Sequence, residues 1–573
     1  MINNNLKKLR KKIVENKIDG YLIPKNDEYF NEYVRPSKDR LNFISNFSGS
    51  AGFAIILKNK KYLFVDGRYT IQAQIQSGKN FKIITMPLKF PRDILKTKKK
   101  LKIGFDPKLH NEKQLNFLFK IKNIMLKPVN KNLIDAIWSK KPKDLIKPFF
   151  SLSKKDTGQS SLEKIEKVKK VLLKNKADYL LVTAPENVAW ILNIRGHDSE
   201  FSPLPNARLL IDSNGSINLY SQLEKVKKIK KILYKKIKFH SEDMLEKKLN
   251  NLWKQSIWLD TLSCSIRYKN LLRERNAIIE KIDPIYFFKS IKNPTEIKNI
   301  KKSHIVDGVA LTKFLFWLKK NINKKKITEL DTKFKLEKFR KENKNYLFPS
   351  FNTISGSGPN AAIIHYRATP KSNRLIKKTD IFLCDSGGQY KYGTTDVTRT
   401  ICFSKPEKRI KDIFTLVLKG HIAVATFKLN KNTTGEKIDR VARDPLKRKG
   451  KDYAHGTGHG VGYFLNVHEG LHSISKFSKI KFSEGMVVSN EPGYYEKNKF
   501  GIRIENLLFV NKYKKQTKFK NLTMAPIEKE LINYNLLNKK EKLYLKEYHK
   551  QVYKNVAPYL NRIEKKWLKS YIN

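Results

Sequence analysis

Twice in its first half the chain runs through the same series of patterns. Leu6 to Ile23 (LKKLRKKIVENKIDGYLI) reads as a basic amphipathic helix followed by a strand, and Glu163 to Val182 (EKIEKVKKVLLKNKADYLLV) reads the same way. Each copy continues into a polar turn, PKND or APEN. Each then carries an apolar stretch ending in glycine, read as a strand: FISNFSG at Phe43 to Gly49 and WILNIRG at Trp190 to Gly196. A further apolar strand follows in each, FAIIL and ARLLI. Helices alternating with strands imply layered α/β structure, and the repetition implies two related domains, at 1–150 and 151–288. The Pro-, Ser- and Gly-containing stretch KPFFSLSKKDTGQS marks the seam between them.

A third region opens after SIKNPTE. Thr295 to Asn321 carries Ile300, Ile305, Val309, Leu311, Phe314 and Leu318 at helical spacing, behind a Pro294-Thr295-Glu296 start. From Tyr346 to Val510 the pattern is mostly short strands and turns, broken by one helix around Lys411 to Phe427. The domain expected here spans 289–514. A tail at 515–573 opens with apolar extended residues and ends in a helical pattern from Lys539 to Lys569.

Lys and Arg outnumber Asp and Glu 119 to 53, a net charge of +66. Such an excess prompts a search for polyanion partners, but here it is mostly Lys and spread along the whole length. Nucleic-acid binders gather their cations on one motif or tail, so no nucleic-acid partner is expected. The densest blocks, KTKKKLK around Lys100 and Lys324 to Lys326, read as exposed linkers or helix ends. Three widely spaced cysteines, Cys264, Cys384 and Cys402, make no disulfide framework and fit a reducing compartment. No apolar segment resembles a signal peptide or a membrane span, which leaves a cytoplasmic protein without membrane attachment as the expectation.

Chemistry concentrates in five segments: FLCDSGGQY, GTTDVTRT, HGTGHGVG, SNEPGYY and IRIEN. Two β-rich runs around a Gly-containing connection make a strand pair that lets Asp385 and Asp396 face each other. Alternation puts Cys384 on the opposite, core face. In GIRIENLLFV the same alternation puts Arg503 and Glu505 on one face, Ile502 and Ile504 on the other. Pro492 biases Glu491 into an extended conformation at a strand end. His455 and His459 stand four apart among glycines that permit close backbone approach; His468 follows, and His365 sits in AIIHYR in strand context. His304 and His421, on helical patterns, read as structural residues, and His472 is ambiguous. Any one of these carboxylates, alone, reads as a turn cap or a solvated edge residue. Together, Asp385, Asp396, His459, Glu491 and Glu505 are too acidic a set to share a pocket without cations, because packed carboxylates raise one another's pKa and divalent ions reverse that. Hard oxygen donors with one imidazole suit Mn²⁺, with Zn²⁺, Co²⁺ and Fe²⁺ as alternatives.

These segments, in this order, resemble the pita-bread metallopeptidases, which include methionine aminopeptidase, prolidase, aminopeptidase P and the metal-free creatinase. GTGHGVGYFLNVHEG, ISGSGPNAAIIHY, EPGYYE and DGRYTIQA are most similar to the three-domain aminopeptidases P. The resemblance covers essentially the whole chain. It implies an α+β pita-bread catalytic domain preceded by two related creatinase-like α/β domains, with a short carboxy-terminal extension. It implies that Asp385 binds one of two divalent metals, that Asp396 and Glu505 bridge both, and that His459 and Glu491 complete the second. His365 and His468 match substrate-contacting, oxyanion-stabilising histidines, His455 another active-site histidine, and Arg503 an arginine supporting the ligands. Two departures, Ser489-Asn490 before Glu491 and the basic segment DPLKRKGKDYAHG, are read as touching no ligand.

The implied activity is release of the amino-terminal residue from peptides with proline second. A hydroxide bridging the two metals attacks, Glu491 shuttles the proton, and the tail helps form a homodimer. A prolidase-like enzyme limited to Xaa-Pro dipeptides has the same ligands and is one alternative. A non-catalytic basic scaffold for polyanions is the other.

Overall fold

The computed structural model describes residues 2–96, 100–120, 122–233, 236–514 and 516–572. The chain divides into two compact units, Met1–Phe288 and Lys289–Asn573.

The first unit holds two six-stranded mixed sheets of identical topology. One runs Lys82–Met86, Lys61–Asp66, Phe53–Leu57, Gly20–Pro24, Leu101–Phe105, Ile124–Pro128. The other runs Ile237–His240, Ile217–Tyr220, Arg208–Asp212, Tyr179–Val182, Ser256–Asp260, Ala277–Lys281. Across both, successive pairs are parallel, antiparallel, antiparallel, parallel and parallel. The basic helices Ile2–Glu15 and Ser161–Lys174 lead into the central strands, as their patterns predict. Leu6, Leu9 and Ile13 of the first and Ile165, Val168 and Leu172 of the second are buried, at the three-and-four spacing of one helix face.

The stretches FISNFSG and WILNIRG depart from expectation. Phe43 to Ser45 belongs to a helix, Arg40–Ser45, whose start is capped by the Asp39 carboxylate. Trp190 to Leu192 ends a helix that starts at Pro185, and only Ile194–Arg195 is a strand. In both copies an asparagine, Asn46 or Asn193, stops the helix in the left-handed conformation, a role Asn fills when Gly does not. Apolar density alone implies strand, but here the capping residues decide for helix.

In the second unit, the helix Pro294–Asn321 starts at Asn293, whose side chain accepts from the Glu296 N–H while the Glu296 carboxylate accepts from the Asn293 N–H. Four sheets follow, one of them Tyr346–Pro349, Gly388–Tyr390, Gly393–Thr394; the other three carry the site. A three-stranded one runs Ile354–Ser357, Phe382–Ser386, Val397–Ile401. A six-stranded one runs Lys428–Leu429, Gln516–Asn521, Asn506–Tyr513, Val487–Asn490, Gly458–Gly460, Glu469–Ile474. The hairpin Gly493–Glu496 with Phe500–Arg503 is the third. The expected helix near Lys411 spans Lys408–Ala425, but a second, Gly435–Lys447, was not anticipated. Its opening glycine and internal Pro445 read as breakers, yet Ile438, Ala442 and Leu446 line one buried stripe. The tail's helical pattern is two helices, Lys539–Val556 and Arg562–Ile572, parted at Pro558, which lacks the N–H a continuous helix needs. His365 lies in a turn rather than a strand, after the 3₁₀ segment Gly358–Ala362. Of the basic runs, Lys324 to Lys326 are exposed, as expected. Residues 97–99 of KTKKKLK, and Lys515 at the expected start of the tail, lie outside the described residues. All three cysteines are buried and unbridged, and Cys384 packs in an apolar cluster with Phe382, Val397 and Ile401. No helix among the described residues is long and apolar enough to cross a membrane.

Gly501 lets the hairpin meet the segment that leads to His365. A Cβ there would fall 1.9 Å from the Ala361 carbonyl oxygen. Gly501→Ala is therefore expected to destabilise the chain by about 1–3 kcal/mol, the range for overpacking a well-filled interior. Urea unfolding checks this; an unchanged midpoint would show that the two segments can part freely.

Candidate metal centre

The five acidic and histidine positions come from separate strands tied by a few backbone contacts. Phe382–Ser386 pairs antiparallel with Val397–Ile401, placing Asp385 opposite Thr398. Asp396, two residues before Thr398, falls on the same face as Asp385. The Glu505 N–H donates to the Thr398 carbonyl at 3.2 Å. The Glu491 N–H donates to the Thr457 carbonyl at 2.8 Å. His459 sits in the short strand Gly458–Gly460 beside Val487–Asn490, which ends one residue before Glu491. GIRIENLLFV is two strands in two sheets rather than one: it breaks at Ile504 and Glu505. The alternation still holds. Ile502 and Ile504 enter an apolar cluster, while Arg503 and Glu505 turn to the acidic face.

One ligand atom from each of Asp396, His459 and Glu505 lies within 4.8 Å of the other two. His459 Nε2 is 3.5 Å from Asp396 Oδ2 and 3.4 Å from Glu491 Oε1. His459 Nδ1 is 3.0 Å from the Gly460 carbonyl. That acceptor puts the proton of the neutral ring on Nδ1, so Nε2 presents its lone pair to the carboxylates. The Arg503 guanidinium donates to Asp385 Oδ2 at 2.6 Å, to Thr398 Oγ1 at 3.1 Å and to Tyr495 Oη at 2.6 Å. Thr398 Oγ1 donates on to Glu505 Oε2 at 2.8 Å. Tyr495 Oη is 2.9 Å from Nε2 of His455. The His468 ring stands edge-on to His459, centroids 4.4 Å apart. His365 follows Ile364, whose carbonyl accepts from Arg503 at 3.4 Å.

Burial, with Asp385 and Glu491 as like charges, pushes the Asp396 carboxyl far above its ordinary range. Burial, Asp396, Glu491 and Asp385 do the same to Glu505. Arg503 opposes both shifts, yet one guanidinium faces four carboxylates. Burial works against the Arg503 charge, but Tyr495 and the acids outweigh it and hold it firmly protonated. Asp385 Oδ1 is buried and accepts no hydrogen bond. An orphan carboxylate oxygen, an imidazole lone pair aimed at acids, and two carboxyls that ionise reluctantly form a donor set that divalent cations fit.

Sequence reasoning missed several residues here. Thr398 links Arg503 to Glu505, and Tyr495 links Arg503 to His455; both lie inside motifs already noted, GTTDVTRT and SNEPGYY. Arg399, fully buried, donates to the carbonyls of Glu505, Ala525 and Pro526 and to Tyr548 Oη, tying the tail beneath the site. The expectation that Ser489-Asn490 touches no ligand is wrong for Ser489. Its hydroxyl accepts from the His459 N–H at 2.9 Å and donates to Glu491 Oε1 at 3.0 Å. His304, His421 and His472 are buried, the last two pushed down to about 3 and about 4 by burial. His472 Nε2 bonds the Val487 carbonyl, which resolves its ambiguity toward a structural role.

The pattern described as Metallopeptidase family M24 matches residues 298–512. That described as Creatinase/Prolidase N-terminal domain matches twice, at 5–134 and 140–296, and a C-terminal region of peptidase_M24 matches 515–573. A probable Xaa-Pro aminopeptidase P of Laccaria bicolor is 39% identical over 97% of this chain and 90% of its own length. The chain belongs to metallopeptidase family M24. Xaa-Pro aminopeptidase 1 of Dictyostelium discoideum is 35% identical over 100% of the chain and 96% of its own length. Among solved structures, an X-prolyl aminopeptidase from Caenorhabditis elegans, described as a cytosolic enzyme with a di-nuclear active site, superposes with a TM-score of 0.95 at 30% identity. It covers 100% of this chain and 99% of its own. A prolidase from Pyrococcus horikoshii reaches 0.53 at 27% identity, covering 64% of this chain and 99% of its own.

Because burial and neighbouring acids raise the Asp396 and Glu505 carboxyls in the folded, cation-free chain above the range near pH 4 in which an unfolded chain loses those protons, its stability should fall as pH rises above that value. A divalent cation displaces those protons, so affinity should rise with pH and loading should release protons. Titration calorimetry with Mn²⁺ in two buffers of different ionisation heat measures this. Equal heats in both buffers and a pH-independent affinity would contradict it.

Proposed function

We propose that this chain is a metal-dependent aminopeptidase that removes the amino-terminal residue from peptides with proline in second position. One observation carries the reading: buried acids from distant strands converge with His459 within 4.8 Å. Asp385 would hold one divalent cation, His459 and Glu491 a second, and Asp396 and Glu505 both. When bound, the cations supply Lewis-acid polarisation of the scissile carbonyl and lower the pKa of attacking water. Mn²⁺ suits a donor set dominated by hard oxygens, with Zn²⁺ and Co²⁺ as alternatives.

The chain's own groups divide the remaining work. The Glu491 side chain, 18% exposed, is open enough to take a proton from water and pass it to the departing proline nitrogen. His365 and His468 donate to the carbonyl oxygen as negative charge builds on it; loss of one such donor costs about 10²–10³ in kcat at other acyl-transfer sites. Arg503 fixes the Asp385 carboxylate and, through Tyr495, orients His455.

In this reading the chain has four parts: 1–150, 151–288, the catalytic domain 289–514 and the extension 515–573. It works as a cytoplasmic homodimer on free peptides, without nucleic-acid or membrane partners. Full-length similarity to proteins named Xaa-Pro aminopeptidase, against 64% coverage by a prolidase, favours it over a strict dipeptidase.

The full chain loaded with Mn²⁺ should hydrolyse Xaa-Pro-Xaa tripeptides, followed by chromatographic detection of the released first residue. Cleavage of Xaa-Pro dipeptides alone would support the prolidase alternative, and no cleavage of either would end the reading. Asp396→Ala and Glu505→Ala should each lose bound metal. Activity should fall by at least the roughly 10–100-fold that loss of a supporting partner costs. Full turnover with the metal gone would refute the assignment.

A further inference from the structure

Ser489 occupies an unusual position. It is fully buried in the strand Val487–Asn490, paired with Leu507 on one side. On the other side Gly458 lies so close that a Cβ there would fall 1.9 Å from the Ser489 carbonyl oxygen. That approach brings the next residue's N–H, of His459, to 2.9 Å from Ser489 Oγ. A serine hydroxyl has one proton to give and lone pairs to accept with. Here it accepts from His459 and gives its proton to Glu491 Oε1 at 3.0 Å, a bond strengthened by the carboxylate charge. Glu491 Oε1 is in turn the oxygen 3.4 Å from His459 Nε2.

One hydroxyl thus touches the backbone of one candidate ligand and the carboxylate of another. Their side chains are the two most solvent-open of the set, at 21% for His459 and 18% for Glu491, against 10% or less for Asp385 and Asp396. Asp385 is fixed independently by Arg503, and Glu505 by Thr398. Besides their own 3.4 Å contact, His459 and Glu491 are joined through the Ser489 side chain, which bonds both.

We infer that Ser489 is a positioning residue that locks His459 and Glu491 into a single two-toothed clamp for one of the two divalent cations, and that it governs the affinity of that cation selectively. The inference rests on the dinuclear reading above. Without the hydroxyl, Glu491 keeps its backbone anchor to Thr457 but loses the bond that fixes its carboxylate next to the imidazole. Groups that orient ligands in this way typically contribute 10–100-fold to metal affinity. The cation held by Asp385 should be indifferent to it.

The test titrates Co²⁺ into metal-stripped full-length chain, following visible absorbance and bound-ion stoichiometry, for wild type, Ser489→Ala and Ser489→Thr. Wild type should bind two ions. Ser489→Ala should bind one ion as wild type does and the other about 10–100-fold more weakly, whichever fills first, and Ser489→Thr, which keeps the hydroxyl, should restore it. Two ions bound by Ser489→Ala with wild-type affinities would overturn the inference, as would equal weakening of both. Should Ser489→Ala fail to fold, Ser489→Val against Ser489→Thr compares side chains of one shape that differ in the hydroxyl, and equal affinities in that pair would overturn it. A wild-type chain that binds fewer than two ions would instead refute the dinuclear reading itself, so the two failures are distinguishable. Thermal unfolding of the metal-free variants separates a general loss of structure, which would lower both affinities, from the selective effect.

Discussion

Four carboxylates gathered within reach of one another, three of them buried, repel, and much of the second unit can be understood as the means of keeping them there. In a low-dielectric interior such a cluster sheds its charge by binding protons unless positive charge is supplied. The chain supplies only part of it. Arg503 reaches Asp385 directly and Glu505 through Thr398, and the strain remaining appears as the raised pKa values of Asp396 and Glu505. The deficit has the sign that bound cations would offset.

Holding that arrangement takes rigid backbone on every side. The acids sit at strand ends and strand breaks: Asp396 just before Val397–Ile401, Glu491 just after Val487–Asn490, Glu505 between two strands that belong to different sheets. At such places a side chain can leave the regular alternation while its neighbours stay hydrogen-bonded. Arg399 then fastens the underside. By donating to the Glu505, Ala525 and Pro526 carbonyls and to Tyr548, it makes the tail part of the support rather than an appendage.

Much of this was legible in the residues themselves, for reasons that differ by level. The duplicated α/β pattern was readable because Leu6, Leu9 and Ile13 and their counterparts Ile165, Val168 and Leu172 mark the same buried face. The acidic set was readable because Asp in a β-rich run, or Glu alternating with Ile, contradicts local preference unless something else is being bought. What could not be read was decided by single capping or packing residues. Asn46 and Asn193 turned expected strands into helix ends, Pro558 split the final helix, and Pro445 hid a helix that its buried stripe nevertheless formed. His365 proved to lie in a turn because Gly358, at a positive φ of 52°, and Pro359 redirect the chain before it.

Ser489 shows why the supporting residues are harder to recognise than the acids they support. A buried carboxylate carries its own evidence, since its burial is costly and demands explanation. A buried serine is cheap, common in strand interiors and satisfied by many partners, so nothing in its identity points to a role. Its role comes from the backbone approach at Gly458, which exists only once the strands of His459 and Ser489, residues 30 apart in the chain, are brought together. The glycines of HGTGHGVG therefore do more than let a strand bend: they set the distance at which an ordinary hydroxyl can hold two functional groups at once. Chemistry at this site is specified by its acids, but its geometry is specified by small residues whose importance is a property of the fold.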